Sequence, residues 1–187
     1  MARLRKLPGV TVVQGDIQTL ALEAAAQHDV ICMFQVLEHM DRLDSVFAAL
    51  WQLTNDEGEL FIAVPNSDRT VVQERLTKFM DMPPVHIGRW TNESLATIAG
   101  RYGFELVETR LDQRSAFTEL WEMAKYCLEA RTRRPGGLAA RVEGIPFRPA
   151  RGVIKRTAAV VDLVRLVPHY GTIPPETRWF HLRRVTS

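Results

Sequence analysis

The sequence predicts an α/β fold built on one parallel crossover. Val30 to Phe34 is an uninterrupted apolar run that stops at a polar cluster, the pattern of a strand buried on both faces. Leu43 to Leu53 follows with helical periodicity, and Asn55 to Gly58 reads as a turn. Leu60 to Val64 is a second apolar run, closed by Pro65-Asn66. Strand, helix, strand at this spacing makes a parallel unit. Polar groups just past the carboxyl end of such strands stand where open α/β sheets bind ligands. Here those groups are Gln35, Glu38 and His39.

The flanking segments extend the pattern. Arg3 to Lys6 reads as a helix tail ended by Pro8-Gly9. The β-branched run Val10 to Val13 predicts a strand, broken by Gly15-Asp16, and Leu20 to Ala26 predicts a short helix. Val71, Val72, Leu76, Phe79 and Met80 repeat at helical spacing up to Pro83-Pro84. Thr91 caps a helix carrying Leu95, Ile98, Ala99 and Tyr102, with Gly103 as its stop. Phe104 to Leu111 reads as a strand. Phe117 to Arg131 and Val153 to Val167 are amphipathic helices separated by a Pro-, Gly- and Arg-rich loop, and Trp179 to Val185 is the last strand.

Composition narrows the class. The chain has 187 residues, 46% hydrophobic and 25% charged, which suits one globular domain. A net charge of +2 names no partner. Cys32, in a strand expected to be buried, and Cys127 read as reduced core residues of a cytoplasmic protein. The amino terminus lacks a signal-peptide apolar region, and no uncharged run has membrane-spanning length.

Val36-Leu37-Glu38-His39 and the later Gly58 to Asn66 stretch resemble class I S-adenosylmethionine-dependent methyltransferases, in their small-molecule, ubiquinone O-methyltransferase-like branch. Gly15-Asp16-Ile17, then Pro83 to Trp90, Glu93 to Leu95 and Gly103-Phe104, match further pieces in order, so the resemblance runs roughly from Val10 to Leu111. It implies a partial Rossmann-like sheet, the third to seventh strands of that family. The seventh would form a hairpin with the sixth and insert beside the fifth. Residues 112–175 would be a helical, basic insertion within one domain spanning 1–187. The Gly-rich loop of the family occurs nowhere in the sequence. The expectation is therefore an amino-terminally truncated reading of a longer enzyme, with a non-catalytic partner-binding scaffold as the alternative.

The resemblance also implies roles. S-adenosylmethionine is the cofactor. The Asp16 carboxylate would accept from the adenine amine, the Ile17 N–H would donate to the ring, and Gln35 would lie near the methionine moiety. Asp16 is equally a turn or N-cap residue by type, and Gln35 a polar strand end. His86 is the expected catalytic base, because a neutral imidazole can take the proton lost by a hydroxyl or amine acceptor. Ubiquinone-type relatives carry E-x-x-E-H and a divalent cation at Glu38-His39. Gln35 replaces the first Glu, so no metal site is assigned and the pair reads as a hydrogen-bonded structural element. The partner is a small-molecule methyl acceptor. Arg131 to Arg156 holds eight basic residues and one acid, pointing to a dimer contact or an anionic surface. Aromatic interleaving is too sparse there for nucleic acid.

Overall fold

Val30 to Phe34 does form a strand, but the structure places it at the edge of the sheet. The computed structural model describes residues 7–23, 28–80, 86–132, 141–142 and 144–185. The strands are β1 (His28–Phe34), β2 (Thr54–Pro65), β3 (Phe104–Leu111) and β4 (Thr177–Arg184). The helices are α1 (Ile17–Glu23), α2 (Leu43–Leu53), α3 (Ser67–Thr77), α4 (Asn92–Arg101), α5 (Ala116–Thr132) and α6 (Arg148–Leu166). The sheet order is β1-β2-β4-β3. β1 and β2 are parallel, as the crossover requires. β4 runs antiparallel to both β2 and β3, so the last strand inserts between them as expected.

One face of this sheet is covered. Met33, Leu60, Ile62, Val64, Phe180 and Leu182 pack there against Val46, Phe47 and Leu50 of α2 and Leu95 and Ala99 of α4. Period-two alternation sends Val30, Cys32 and Phe34 to the other face, where they are exposed. The expectation of a strand buried on both faces, with Cys32 in the core, is therefore corrected. Burial on both faces needs cover on both faces, and α2 and α4 of the main core cluster cover one.

The Val10 to Val13 strand is also corrected, because these residues form no strand. A strand exists by pairing, and no described strand lies beside them. The predicted turn Asn55 to Gly58 becomes an irregularity within β2. His28 pairs with Thr54 while Val30 pairs with Glu59, and the extra residues are absorbed with Glu57 at φ 61°. A Cβ on Gly58 would meet Thr54 Cγ2 at 2.6 Å and the Asn55 carbonyl at 2.9 Å, so glycine is needed there.

Helix signals fared well. Thr91 and Ser94 form a capping box on α4, and Gly103, at φ 75°, follows its end. α3 stops at Thr77, before Phe79 and Met80, with Lys78 left-handed at its C-cap. Arg3 to Lys6, Ala24 to Ala26, Pro83-Pro84 and most of the Arg-rich loop lie outside the described residues. α5 and α6 follow β3 and precede β4, forming a second cluster with α3 through Leu120, Met123, Ala124, Leu166 and Ile173.

The outer edge of β1 carries no partner strand among the described residues, beside apolar side chains on the open face. Such an edge recruits other strands. The purified chain is expected to self-associate in sedimentation velocity and to melt broadly. A monomer with one sharp calorimetric transition would count against this.

Candidate functional site

Gln35 follows the last residue of β1 in the left-handed region, at φ 55°, with its N–H donating to the Ala63 carbonyl at 2.8 Å. A non-glycine residue held there is a strained turn of the kind that gathers at working sites. It redirects the chain into the 3₁₀ turn Leu37–His39. The Glu38 carbonyl of that turn accepts from the N–H groups of Ile87 and Gly88, at 2.8 and 3.0 Å. These two bonds hold the segment carrying His86 against the turn carrying Glu38 and His39.

The result is a compact cluster. The rings of His39 and His86 are 4.9 Å apart. His39 Nε2 lies 4.0 Å from Glu38 Oε1. One donor atom from each of Glu38, His39 and His86 lies within 4.8 Å of the others. The Glu38 side chain is 1% exposed, yet neither of its carboxylate oxygens has a hydrogen-bond partner among the described residues. That corrects the expectation of a hydrogen-bonded structural Glu38. A buried carboxylate that accepts no hydrogen bond, with an imidazole 4.0 Å away as its ionisable neighbour, is costly unless it meets a further cation.

His86 and Gln35 line one cavity of about 440 Å³ at the carboxyl ends of β1 and β2. The rest of its wall mixes apolar surface, Pro65 included, with the polar side chains of Arg69, Thr70 and Gln73 of α3, Arg114, Tyr126 of α5, Glu176 and Thr177. The sequence reading passed over these groups. Their signal was present in α3, where Arg69, Thr70, Gln73 and Thr77 recur at helical spacing and are the buried residues, while Val71 is exposed. Arg69 forms an ion pair with Glu119 of α5 and donates to the Pro174 carbonyl at 2.9 Å. Burial pushes the Glu119 carboxyl above its ordinary value, and Arg69 opposes that rise. Arg114 pairs with Asp112 and, at 3.0 Å, with Glu176. Both guanidiniums on the cavity wall are thus engaged by carboxylates, Arg69 by one and Arg114 by two. A shallower hollow of about 600 Å³ lies over the open sheet face at Phe61, Trp179 and His181, and none of the expected site residues lines it.

Asp16 and Ile17 sit apart from that cavity. Asp16 Oδ1 accepts from the Thr19 N–H at 2.7 Å and so caps α1. That bond holds its carboxyl below the usual range. Ile17 packs on the core at the helix start. Gln18 Nε2 donates to Ser45 Oγ at 3.1 Å, at the start of α2, which follows β1 through the 3₁₀ turn. Asp16 therefore lies at the same carboxyl edge of the sheet as Gln35.

A family model described as a methyltransferase domain matches residues 7–109, more than half of the chain. Solved structures show the same fold at low identity. An S-adenosylmethionine-dependent methyltransferase from Archaeoglobus fulgidus is 14% identical with a TM-score of 0.53, covering 94% of this chain and 68% of that one. The [4+2]-cyclase SpnF is 16% identical with a TM-score of 0.54, covering 100% of this chain and 60% of that one. The YcgJ protein of Bacillus subtilis is 9% identical with a TM-score of 0.51, covering 100% of this chain and 76% of that one. The chain thus spans between 60% and 76% of the length of these three structures. No curated protein is significantly similar to it in sequence. One of these structures is a cyclase, so the shared fold does not name a reaction. The sheet order and the match over residues 7–109 together place the chain in the methyltransferase domain family.

Proposed function

We propose that the chain serves S-adenosylmethionine-dependent methyl transfer to a small-molecule acceptor held in the cavity at the carboxyl ends of β1 and β2. The observation that carries this reading is the meeting of Gln35 and His86, from distant segments, on one cavity wall. S-adenosylmethionine supplies the electrophilic methyl group when bound. The residues present fit part of that cofactor. Asp16, whose Oδ1 caps the helix, would accept from the adenine amine, Ile17 would offer its N–H, and Gln35, on the cavity wall, would lie near the methionine moiety. His86 takes the proton that a hydroxyl or amine acceptor loses. The polar wall of α3 orients the acceptor, and orientation accounts for most of what a protein adds to such a displacement.

The Gly-rich loop that would hold the rest of the cofactor is not in these 187 residues. On this reading, methyl transfer would draw on a Gly-rich loop encoded elsewhere. Calorimetric titration of the purified chain with S-adenosylmethionine is expected to show no micromolar binding. The gene extended upstream in frame to a Gly-rich loop is expected to bind it and to pass labelled methyl groups to an acceptor. Failure of the extended form to bind would leave the non-catalytic scaffold as the better reading.

The orphaned Glu38 carboxylate favours a second reading of the same cluster. Glu38, His39 and His86 make a one-carboxylate, two-imidazole donor set. That set suits zinc or iron better than magnesium, which prefers oxygen ligands. A metal there would act as a Lewis acid and would occupy the imidazole that otherwise serves as base.

A further inference from the structure

We propose that α6 is an interfacial helix that docks the protein on an anionic lipid bilayer. Its inner side is accounted for. Ala159, Asp162 and Leu166 are buried, and Asp162 pairs with Arg131 of α5. The opposite side carries Val153, Ile154, Val160, Val161 and Val164, each between 40% and 65% exposed. Their spacing, i, i+1, i+7, i+8 and i+11, puts them on one helical face. Phe147 and Tyr170 bracket the helix and are exposed by 65% and 58%. A continuous apolar face turned to solvent, with aromatic residues at its ends, marks a contact surface.

Charge selects the occupant. Of the cations on α6, Arg148, Arg156 and Arg165 are exposed, and Arg156 and Arg165 flank the apolar face on its two sides. Its one acid, Asp162, is buried and neutralised. A second copy presenting the same face would bring like charges together, whereas anionic headgroups complement them. A largely apolar groove of about 250 Å³ between α5 and α6, floored by Trp121 and Leu128, is bordered by Lys125, Lys155 and Arg156 and by the acid Glu129, with Lys125 paired to Glu122. No described helix is long and apolar enough to cross a membrane, so α6 would lie in the interface plane. This surface is built from the insertion and does not depend on the methyl-transfer reading.

The test is co-sedimentation of the 187-residue chain with vesicles of phosphatidylglycerol and phosphatidylcholine, against vesicles of phosphatidylcholine alone. Binding to the anionic vesicles and not the neutral ones is expected, weakening as salt is raised. Val160→Asp/Val164→Asp should lower vesicle binding about tenfold or more, because it puts charge on the apolar face. Arg156→Glu/Arg165→Glu should lower it comparably while leaving that face intact. Both pairs replace solvent-exposed positions, and circular dichroism melts would verify that each variant folds. Equal binding to neutral vesicles, no binding, or binding unchanged by either variant would overturn the proposal. So would a dimer abolished by Val160→Asp/Val164→Asp in a chain that ignores vesicles.

Discussion

Arg69→Met is expected to destabilise the chain by about 3–5 kcal/mol, the cost of breaking a buried ion pair from one side. Arg69 and Glu119 are 2% and 5% exposed and join α3 to α5 across the cavity wall. Removing the guanidinium leaves a buried carboxylate with only the weaker influence of Arg114 to offset its charge. Burial already raises the Glu119 carboxyl above its ordinary value, and losing Arg69 removes the principal opposing influence. The sign of the pH dependence follows. A carboxyl whose folded-state pKa is raised binds a proton on folding, so its contribution favours folding at low pH and is lost as pH rises through the folded value. The deficit of Arg69→Met should therefore shrink as pH is lowered from about 8 toward about 5. Arg69→Met/Glu119→Leu should recover most of the loss, since it removes both charges together. Urea unfolding at several pH values measures all three. A deficit in Arg69→Met that does not vary with pH would mean Glu119 is not the group left uncompensated.

In a form of the protein that binds S-adenosylmethionine, His86→Ala is expected to lower turnover by about 10²-fold or more, with cofactor affinity nearly unchanged. The proton of the acceptor must leave as the methyl group arrives, and the His86 imidazole lines the cavity where the acceptor would sit. His39 is half exposed and does not line that cavity. His39→Ala should therefore mainly lower the melting temperature. Their contact also provides the test between base and metal ligand. If the cluster holds a metal, zinc should raise the melting temperature of the native chain, and Glu38→Gln, His39→Ala and His86→Ala should each abolish that rise. If His86 acts as the base without a metal, zinc should leave the melting temperature of all four proteins alike. Loss of turnover in a well-folded His39→Ala, with His86→Ala near wild type, would overturn the assignment of the base.

The sequence by itself determined what local pattern can encode. The apolar runs at Val30 to Phe34 and Leu60 to Val64, the Thr91 cap, the Gly103 stop and the bounds of β3 all formed as periodicity and capping chemistry dictate. The resemblance to the methyltransferase family implied where the last strand inserts, and it inserts there. Only the tertiary structure decided burial and company. An apolar run does not say whether helices cover both of its faces, so Val30, Cys32 and Phe34 read as core and are exposed. A β-branched run does not say whether a partner strand lies beside it, so Val10 to Val13 read as a strand and is none. The site shows the same division. His86 was legible as a candidate, but its meeting with Glu38 and His39 depends on two long-range bonds to the Glu38 carbonyl. The Arg69–Glu119 pair joins residues on separate helices and has no local signature. Side-chain type and spacing are written in the chain, whereas pairing between distant segments follows only from how the folded chain brings them together.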